Sequence, residues 1–197
     1  MIEAIALLGN YGNEYRKTRH NVAWLIAEYL SLTENISWQK RFNGEYAKVS
    51  CEVESKNIHL LKPHTYMNCS GVSVAELVAF YKIPFDSILV FHDEVELPLA
   101  TVSLKKGGGL AGHNGLRSIK ERIGSADFWR LRIGIGRPAP KSEKSIDMAG
   151  YVLSKFSEDE MKILEKAVPI LNEIFSLIAR GEELDGYLKK YSKYKVE

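Results

Sequence analysis

The stretch Ile2-Glu3-Ala4-Ile5-Ala6-Leu7-Leu8-Gly9-Asn10 decides the fold. It is apolar and branched apart from one charge, well short of the roughly 20 apolar residues that span a bilayer. It has neither the basic leader nor the small-residue cleavage pattern of a secretory signal. A short apolar run that stops at Gly-Asn reads as a buried strand running into a loop. Such a strand belongs inside a sheet covered by helices, so the rest of the chain is read for helices and strands in alternation.

Working outward, Val22, Leu25, Ile26, Tyr29 and Leu30 recur at three- and four-residue steps, a helix with one buried face that begins just after His20. Alternation through Ala47, Val49, Cys51 and Val53, a polar turn at Ser55-Lys56-Asn57 and the run Ile58 to Leu61 predict a hairpin stopped by Pro63. Val74, Leu77, Val78 and Tyr81 predict a helix broken by Pro84, and Ile88 to Phe91 a strand that delivers His92-Asp93-Glu94 at its end. Thr101 to Leu104 and Leu131 to Ile135 are further strands, separated by a helix with Leu116, Ile119 and Ile123 inside and Gly124 at its close. Arg137 to Ser145 reads as an exposed loop. Ser157 and Glu160 have capping-box spacing ahead of a stripe through Met161, Leu164, Val168, Leu171, Phe175 and Ile178, which predicts one long helix kinked at Pro169. The expectation is a single α/β domain over 1–197, a twisted, mixed and largely parallel sheet with helices on both faces, ending in a basic, tyrosine-rich segment over 182–197.

Bulk properties agree and exclude alternatives. A chain of 197 residues suits one core, and 45% apolar with 26% charged residues is ordinary for a soluble globular protein. Cys51 and Cys69 have no paired spacing, so neither a disulfide framework nor a structural zinc site is expected, and a reducing cytoplasm is the expected location. The net charge of +2 is small, so a nucleic-acid partner must be met by positive charge gathered locally. Lys105, Lys106, Arg130, Arg132 and Arg137 supply one such group. Lys189, Lys190, Lys193 and Lys195, among Tyr187, Tyr191 and Tyr194, supply another. A solvated face is the plain alternative for each.

Open α/β sheets hold ligands where their strands end, and Asn10, His20, Asn68, Asp93 and Asn114 all fall in or beside such loops. A carboxylate that accepts a hydrogen bond from one imidazole nitrogen leaves the other free as a base, so His20 with Asp93 makes a pair able to activate water. Taken singly, His20 reads as a helix-start histidine and Asn68 as a helix cap. Gly107, Gly109 and Gly112 satisfy G-x-G-x-x-G by the letter, but the acidic ribose partner expected about twenty residues onward is missing, so no dinucleotide is expected. There is no G-x-S-x-G elbow. His20, His59, His64, His92 and His113 show no H-E-x-x-H or similar metal spacing.

Five segments together resemble the bacterial type of peptidyl-tRNA hydrolase: Leu8-Gly9-Asn10 through Tyr15 to Thr18-Arg19-His20-Asn21; Lys62-Pro63 through Tyr66-Met67-Asn68-Cys69-Ser70-Gly71; His92-Asp93-Glu94; Lys105 to Gly109 with Gly112-His113-Asn114-Gly115-Leu116; and Phe128 through Arg130-Leu131-Arg132 to Arg137-Pro138. The resemblance implies a monomeric, cofactor-free and metal-independent α/β enzyme that hydrolyses the ester between a peptide and the 3′-terminal ribose of tRNA, recycling prematurely released tRNA. It implies His20 as base, Asp93 as its orienting carboxylate, and Asn10, Asn68 and Asn114 as ligands of peptide, water or oxyanion. Tyr15, Tyr66, Met67 and His113 fall among the implied substrate-binding positions, and Lys105 with Arg132 matches a salt-sensitive clamp for the tRNA 5′-phosphate. A non-catalytic RNA-binding module is the competing expectation, separated from this one by the need for His20. The chain departs from the family pattern at Tyr11, where proline is usual, at Tyr66 for phenylalanine, at Glu96 for aspartate, and at Leu110-Ala111 within a stretch otherwise rich in glycine and histidine.

Overall fold

The computed structural model describes residues 1–52, 56–138 and 147–196. Within them seven strands form one sheet: β1 (Ala4–Leu7), β2 (Gln39–Arg41), β3 (Gly44–Ser50), β4 (Asn57–Pro63), β5 (Ile88–Glu94), β6 (Val102–Lys106) and β7 (Trp129–Gly134), in the order β2-β3-β4-β1-β5-β7-β6. The neighbours β4-β1, β1-β5 and β5-β7 are parallel, while β2-β3, β3-β4 and β6-β7 are antiparallel. The parallel strands thus occupy the centre and the reversals lie toward the edges. The expected tip of the first hairpin falls partly on residues 53–55, and the expected loop after Arg137 largely on 139–146, both outside the described residues.

Strand β1 is buried on both faces, as its continuous apolar sequence requires. Ile5 and Leu7 join a core formed with helix α1 (Val22–Ala27) and two later helices, whereas Ala4, Ala6 and Leu8 join a second core under α2 (Ser70–Tyr81) and α3 (Asn114–Ile123). Side chains of a strand alternate, so one strand supplies both layers. Fully burying a Leu or Ile contributes about 1.5–3 kcal/mol, which makes this central strand the anchor of the sandwich.

Three expectations are corrected. The single kinked helix after Ser157 is two: Ser157 does close a capping box with Glu160 at the start of an eight-residue helix (Glu158–Glu165), but a new helix runs from Val168 to Ala179 with Pro169 in its first turn. Proline has no N–H to give, and only the first turn leaves that N–H unneeded. A short helix α4 (Met148–Val152) precedes these two, which are accordingly α5 and α6. The helix after His20 stops at Ala27 rather than reaching Leu30. Asn68 is not a helix cap: Cys69 holds that place before α2, and no side chain caps it. The αL residue Gly124 closes α3 as expected. Among the described residues no helix is long and apolar enough to cross a membrane.

The basic C-terminal segment docks on the far edge of the sheet. Val102 exchanges two backbone hydrogen bonds with Tyr194, and Leu104 N–H donates to the Tyr191 carbonyl at 2.7 Å, with the Tyr191 side chain fully buried.

Candidate active site

The parallel strands β1, β4 and β5 end on one edge of the sheet, and a crevice of about 370 Å³ opens there. His20, Asp93, His113 and Asn114 line it, and Met148 and Val152 of α4 form an apolar wall. His20 reaches it from a 3-10 turn (Arg19–Asn21) ahead of α1, Asp93 from the end of β5, and Asn114 from the first turn of α3. The sequence thus brought four of its site residues to one cavity from three separate elements.

At the floor, His20 Nδ1 lies 2.7 Å from Asp93 Oδ1, with both residues buried. The neighbouring His113 fixes the proton positions. Its Nδ1 accepts from the N–H groups of Gly115 and Leu116 at 3.1 and 3.3 Å, so the imidazole serves as the N-cap of α3. Its proton therefore sits on Nε2, which donates to the same Asp93 Oδ1 at 3.0 Å. An ionised carboxylate only accepts, so His20 also donates from Nδ1 and keeps a lone pair on Nε2. Burial alone pushes the Asp93 carboxyl up, but the electrostatic attraction and hydrogen bonds of the His20 and His113 N–H groups override it and hold the group well below the usual carboxylate range. His113, expected among substrate-binding groups, lines the crevice with both ring nitrogens engaged inside the protein, one of them on Asp93.

His92 lies beneath this pair. Its Nδ1–H donates to the Asp93 carbonyl at 2.6 Å, its ring meets His113 edge-on at 4.8 Å, and its Nε2 is buried without a partner. Burial, reinforced by His113, depresses its pKa well below the ordinary imidazole value, so this ring stays neutral.

Asn10 is placed by a residue the sequence reading passed over. Asn21, fully buried beside His20, accepts from the Asn10 backbone N–H and donates to the Asn10 carbonyl, both at 2.9 Å. Asn10 Oδ1 in turn accepts the Met67 N–H at 2.7 Å, which leaves its NH₂ without a partner among the described residues. Asn21 gave a weak signal, a carboxamide next to His20 at the entry of an apolar helix. Met67 is buried, with its sulfur over Gly115, so it packs inside the second core beneath the loop. Asn68 and Tyr66 are exposed, Tyr66 at 62%, and Tyr66 meets the half-buried Tyr15 edge-on at 6.3 Å. These four lie beside the Asn10 loop and do not line the crevice itself.

Lys105 and Arg132 face the same side of the sheet from β6 and β7. Arg132 is engaged by Glu94 at 3.5 Å and by Ser103 at 2.7 Å, and Glu94 is itself a crevice residue. Next to His20, Arg19 turns away from the crevice. It donates to Ser154 Oγ, the Lys155 carbonyl and Glu160 at 3.0, 2.6 and 2.6 Å and lies under the rings of Tyr151 and Phe156. Arg19 thus straps the α4–α5 region, which walls the crevice, to the turn that carries His20.

His20, Asp93 and His113 each offer one ligand atom within 4.8 Å of the others, a set able to hold a metal ion. An ion taking His20 Nδ1, His113 Nε2 and Asp93 Oδ1 together would displace the two protons now shared with that oxygen.

A crevice of this make-up, at the strand ends of a mixed α/β sheet, is that of a hydrolytic enzyme. The chain belongs to the peptidyl-tRNA hydrolase family, whose sequence pattern matches residues 4–197. A peptidyl-tRNA hydrolase of Treponema pallidum (strain Nichols) is 52% identical over 166 residues, covering 84% of this chain and 81% of the relative. One of Geotalea daltonii (strain DSM 22248 / JCM 15807 / FRC-32) is 39% identical over 194 residues, 98% and 96% of the two chains. A crystal structure of peptidyl-tRNA hydrolase from Acinetobacter baumannii superposes with a TM-score of 0.84 at 36% identity, covering 98% of this chain and 96% of that one.

Proposed function

We propose that this chain hydrolyses the ester bond between peptide and the 3′-terminal ribose of peptidyl-tRNA, with His20 as the general base for water. The observation that carries the reading is the 2.7 Å contact between His20 Nδ1 and the buried Asp93, which leaves Nε2 as the proton acceptor in the crevice. Water gives a proton to Nε2 while its oxygen adds to the ester carbonyl carbon. The carbonyl oxygen takes the negative charge, and the NH₂ groups of Asn10 and Asn114 are the donors that meet it. Collapse of this intermediate breaks the bond to the ribose oxygen, which recovers the proton from His20. Tyr15, Tyr66 and Asn68 hold the peptide, with Met67 beneath them.

Lys105 and Arg132 belong to a basic strip that holds phosphate and so positions the acceptor stem without reading bases. The protein acts as a cytoplasmic monomer without cofactor.

The test is to incubate purified protein with EDTA and an N-blocked aminoacyl-tRNA and to measure released tRNA, with unblocked aminoacyl-tRNA as control. Release from the blocked substrate alone is expected. His20→Ala lowers turnover by about 10² to 10⁴, the usual share of a general base, while tRNA binding persists. Asp93→Asn lowers turnover more than affinity, since the carboxylate acts on the base. Full turnover in His20→Ala rejects the reading, and loss of activity to EDTA assigns the imidazole set to a metal instead.

A further inference from the structure

The loop that presents Asn10 borders a second cavity. It holds about 510 Å³, more than the crevice, and lies between that loop, α1, the start of β3 and the end of β4. No step of the hydrolysis uses it.

Its walls are aromatic. Tyr11 stacks on His64 with ring centroids 4.3 Å apart, and Trp24 stands 6.1 Å from the same imidazole, its indole N–H donating to the Leu7 carbonyl at 2.7 Å. Tyr11 takes the place where the family pattern has proline and is 54% exposed, so it is a ring that core packing does not require.

Its cations outnumber its anions. Arg16 lies 3.8 Å from Glu28, and His64 lies 3.7 Å from Glu45, whereas Lys40 and Lys62 have no carboxylate in ion-pair contact among the described residues. Lys62 is half-buried. Its ammonium sits 4.6 Å over the Trp38 ring and donates no hydrogen bond among the described residues. Burial lowers its pKa, and the more distant charges of Glu45 and Glu28 only partly oppose this. Withdrawing a strongly hydrated ammonium from water without an anion is costly, and an entering carboxylate removes that cost.

The position of the cavity names the source of the carboxylate. Tyr11, Gly12, Asn13 and Arg16 line it, while Tyr15, in the same loop, meets Tyr66 instead. The Tyr11 N–H donates to the Thr65 carbonyl at 3.1 Å, which ties this loop to the segment that carries Tyr66 and Asn68. Peptide held by Tyr15 and Tyr66 is therefore about two chain widths from the cavity, on the order of 10 Å. Extended chain covers that in about three residues.

We infer that this cavity is a subsite for an acidic side chain of the peptide, about three residues upstream of the ester, with Lys62 meeting the carboxylate and Tyr11 walling it. The inference rests on the peptidyl-tRNA reading and gives it a preference: Glu above Gln, and Lys last, since Arg16, Lys40 and Lys62 repel a further ammonium.

The test measures kcat/KM on N-acetylated pentapeptidyl-tRNAs that carry Glu, Gln or Lys at each upstream position in turn. N-acetyl-aminoacyl-tRNA is the substrate too short to reach the cavity. The parent favours Glu over Gln by about 5-fold or more at one upstream position, through KM, the scale of a single charge-assisted contact. Lys62→Met keeps an apolar stem without the charge; it abolishes the preference and leaves the short substrate as in the parent. Lys62→Arg retains the preference. Tyr11→Pro raises KM for the long substrates only, and an unchanged KM there overturns the aromatic half of the inference.

A parent indifferent to the side chain at every upstream position overturns the inference with the tRNA reading intact. A Glu preference that survives Lys62→Met does the same. Equal losses on long and short substrates in Lys62→Met, unrelieved by arginine, mark the lysine as structural and also overturn it. A parent that hydrolyses none of these substrates overturns the tRNA reading itself.

Discussion

Asp93 Oδ1 receives two imidazole N–H groups, and the histidine beneath them is kept neutral by burial. This arrangement has a measurable pH signature. In the unfolded chain His92 titrates near 6.5, and in the folded protein it does so lower. Between those values the unfolded chain binds more protons, so stability is complete above about pH 6.5 and falls as pH drops through the window, by up to about 1.4 kcal/mol per pH unit for one proton. Chemical denaturation between pH 7 and 5 should show this slope in the parent and a shallower one in His92→Gln. Identical slopes would mean that His92 protonates freely in place. Asp93, depressed rather than raised, stabilises above the unfolded carboxyl value and loses that contribution only near pH 4 and below, outside this window.

At this scale the sequence was informative about His20 and Asp93, because each sits where a periodic segment meets a loop and strand ends converge. It was silent on how His113 and Asn21 are used. An N-cap made by imidazole and a backbone bracket around Asn10 depend on contacts between segments that no local spacing records.

Among the elements, α2 and α3 are joined with almost no space between their backbones. A Cβ on Gly71 would lie 2.1 Å from the Ser118 carbonyl oxygen, and the Gly71 N–H donates to Ser118 Oγ at 3.0 Å. Gly71→Ala must therefore separate two helix backbones, one of which begins with His113 and Asn114. A loss of about 3 kcal/mol is expected, the upper range for overpacking, with turnover falling alongside. An unchanged denaturation midpoint would show that the joint yields without cost. Helix periodicity, the Ser157–Glu160 box and the glycine stop at 124 were all legible because they are local. The break before Pro169 was misread as a kink since the apolar stripe continues in register across it. Strand β2 escaped notice because Gln39, Lys40 and Arg41 are all exposed and carry no alternation.

For the molecule as a whole, the docking of the C-terminal segment on β6 matters most. Removing residues 188–197 deletes buried Tyr191 and uncovers the backbone groups of Val102 and Leu104. A bare edge strand invites pairing with another chain. The truncated protein is expected to melt lower and to self-associate with rising concentration in light scattering; a monodisperse product as stable as the parent would deny the segment this role.

Arg19 and His20 are adjacent in sequence but serve opposite sides of one wall. The bond from Arg19 to Glu160 spans 141 positions. A nascent chain emerging from synthesis cannot satisfy that guanidinium until most of its length is out and folded, and until then the imidazole next door stands on an unbraced turn. The shape of the crevice is thereby tied to completion: a half-made copy has the imidazole but not the brace.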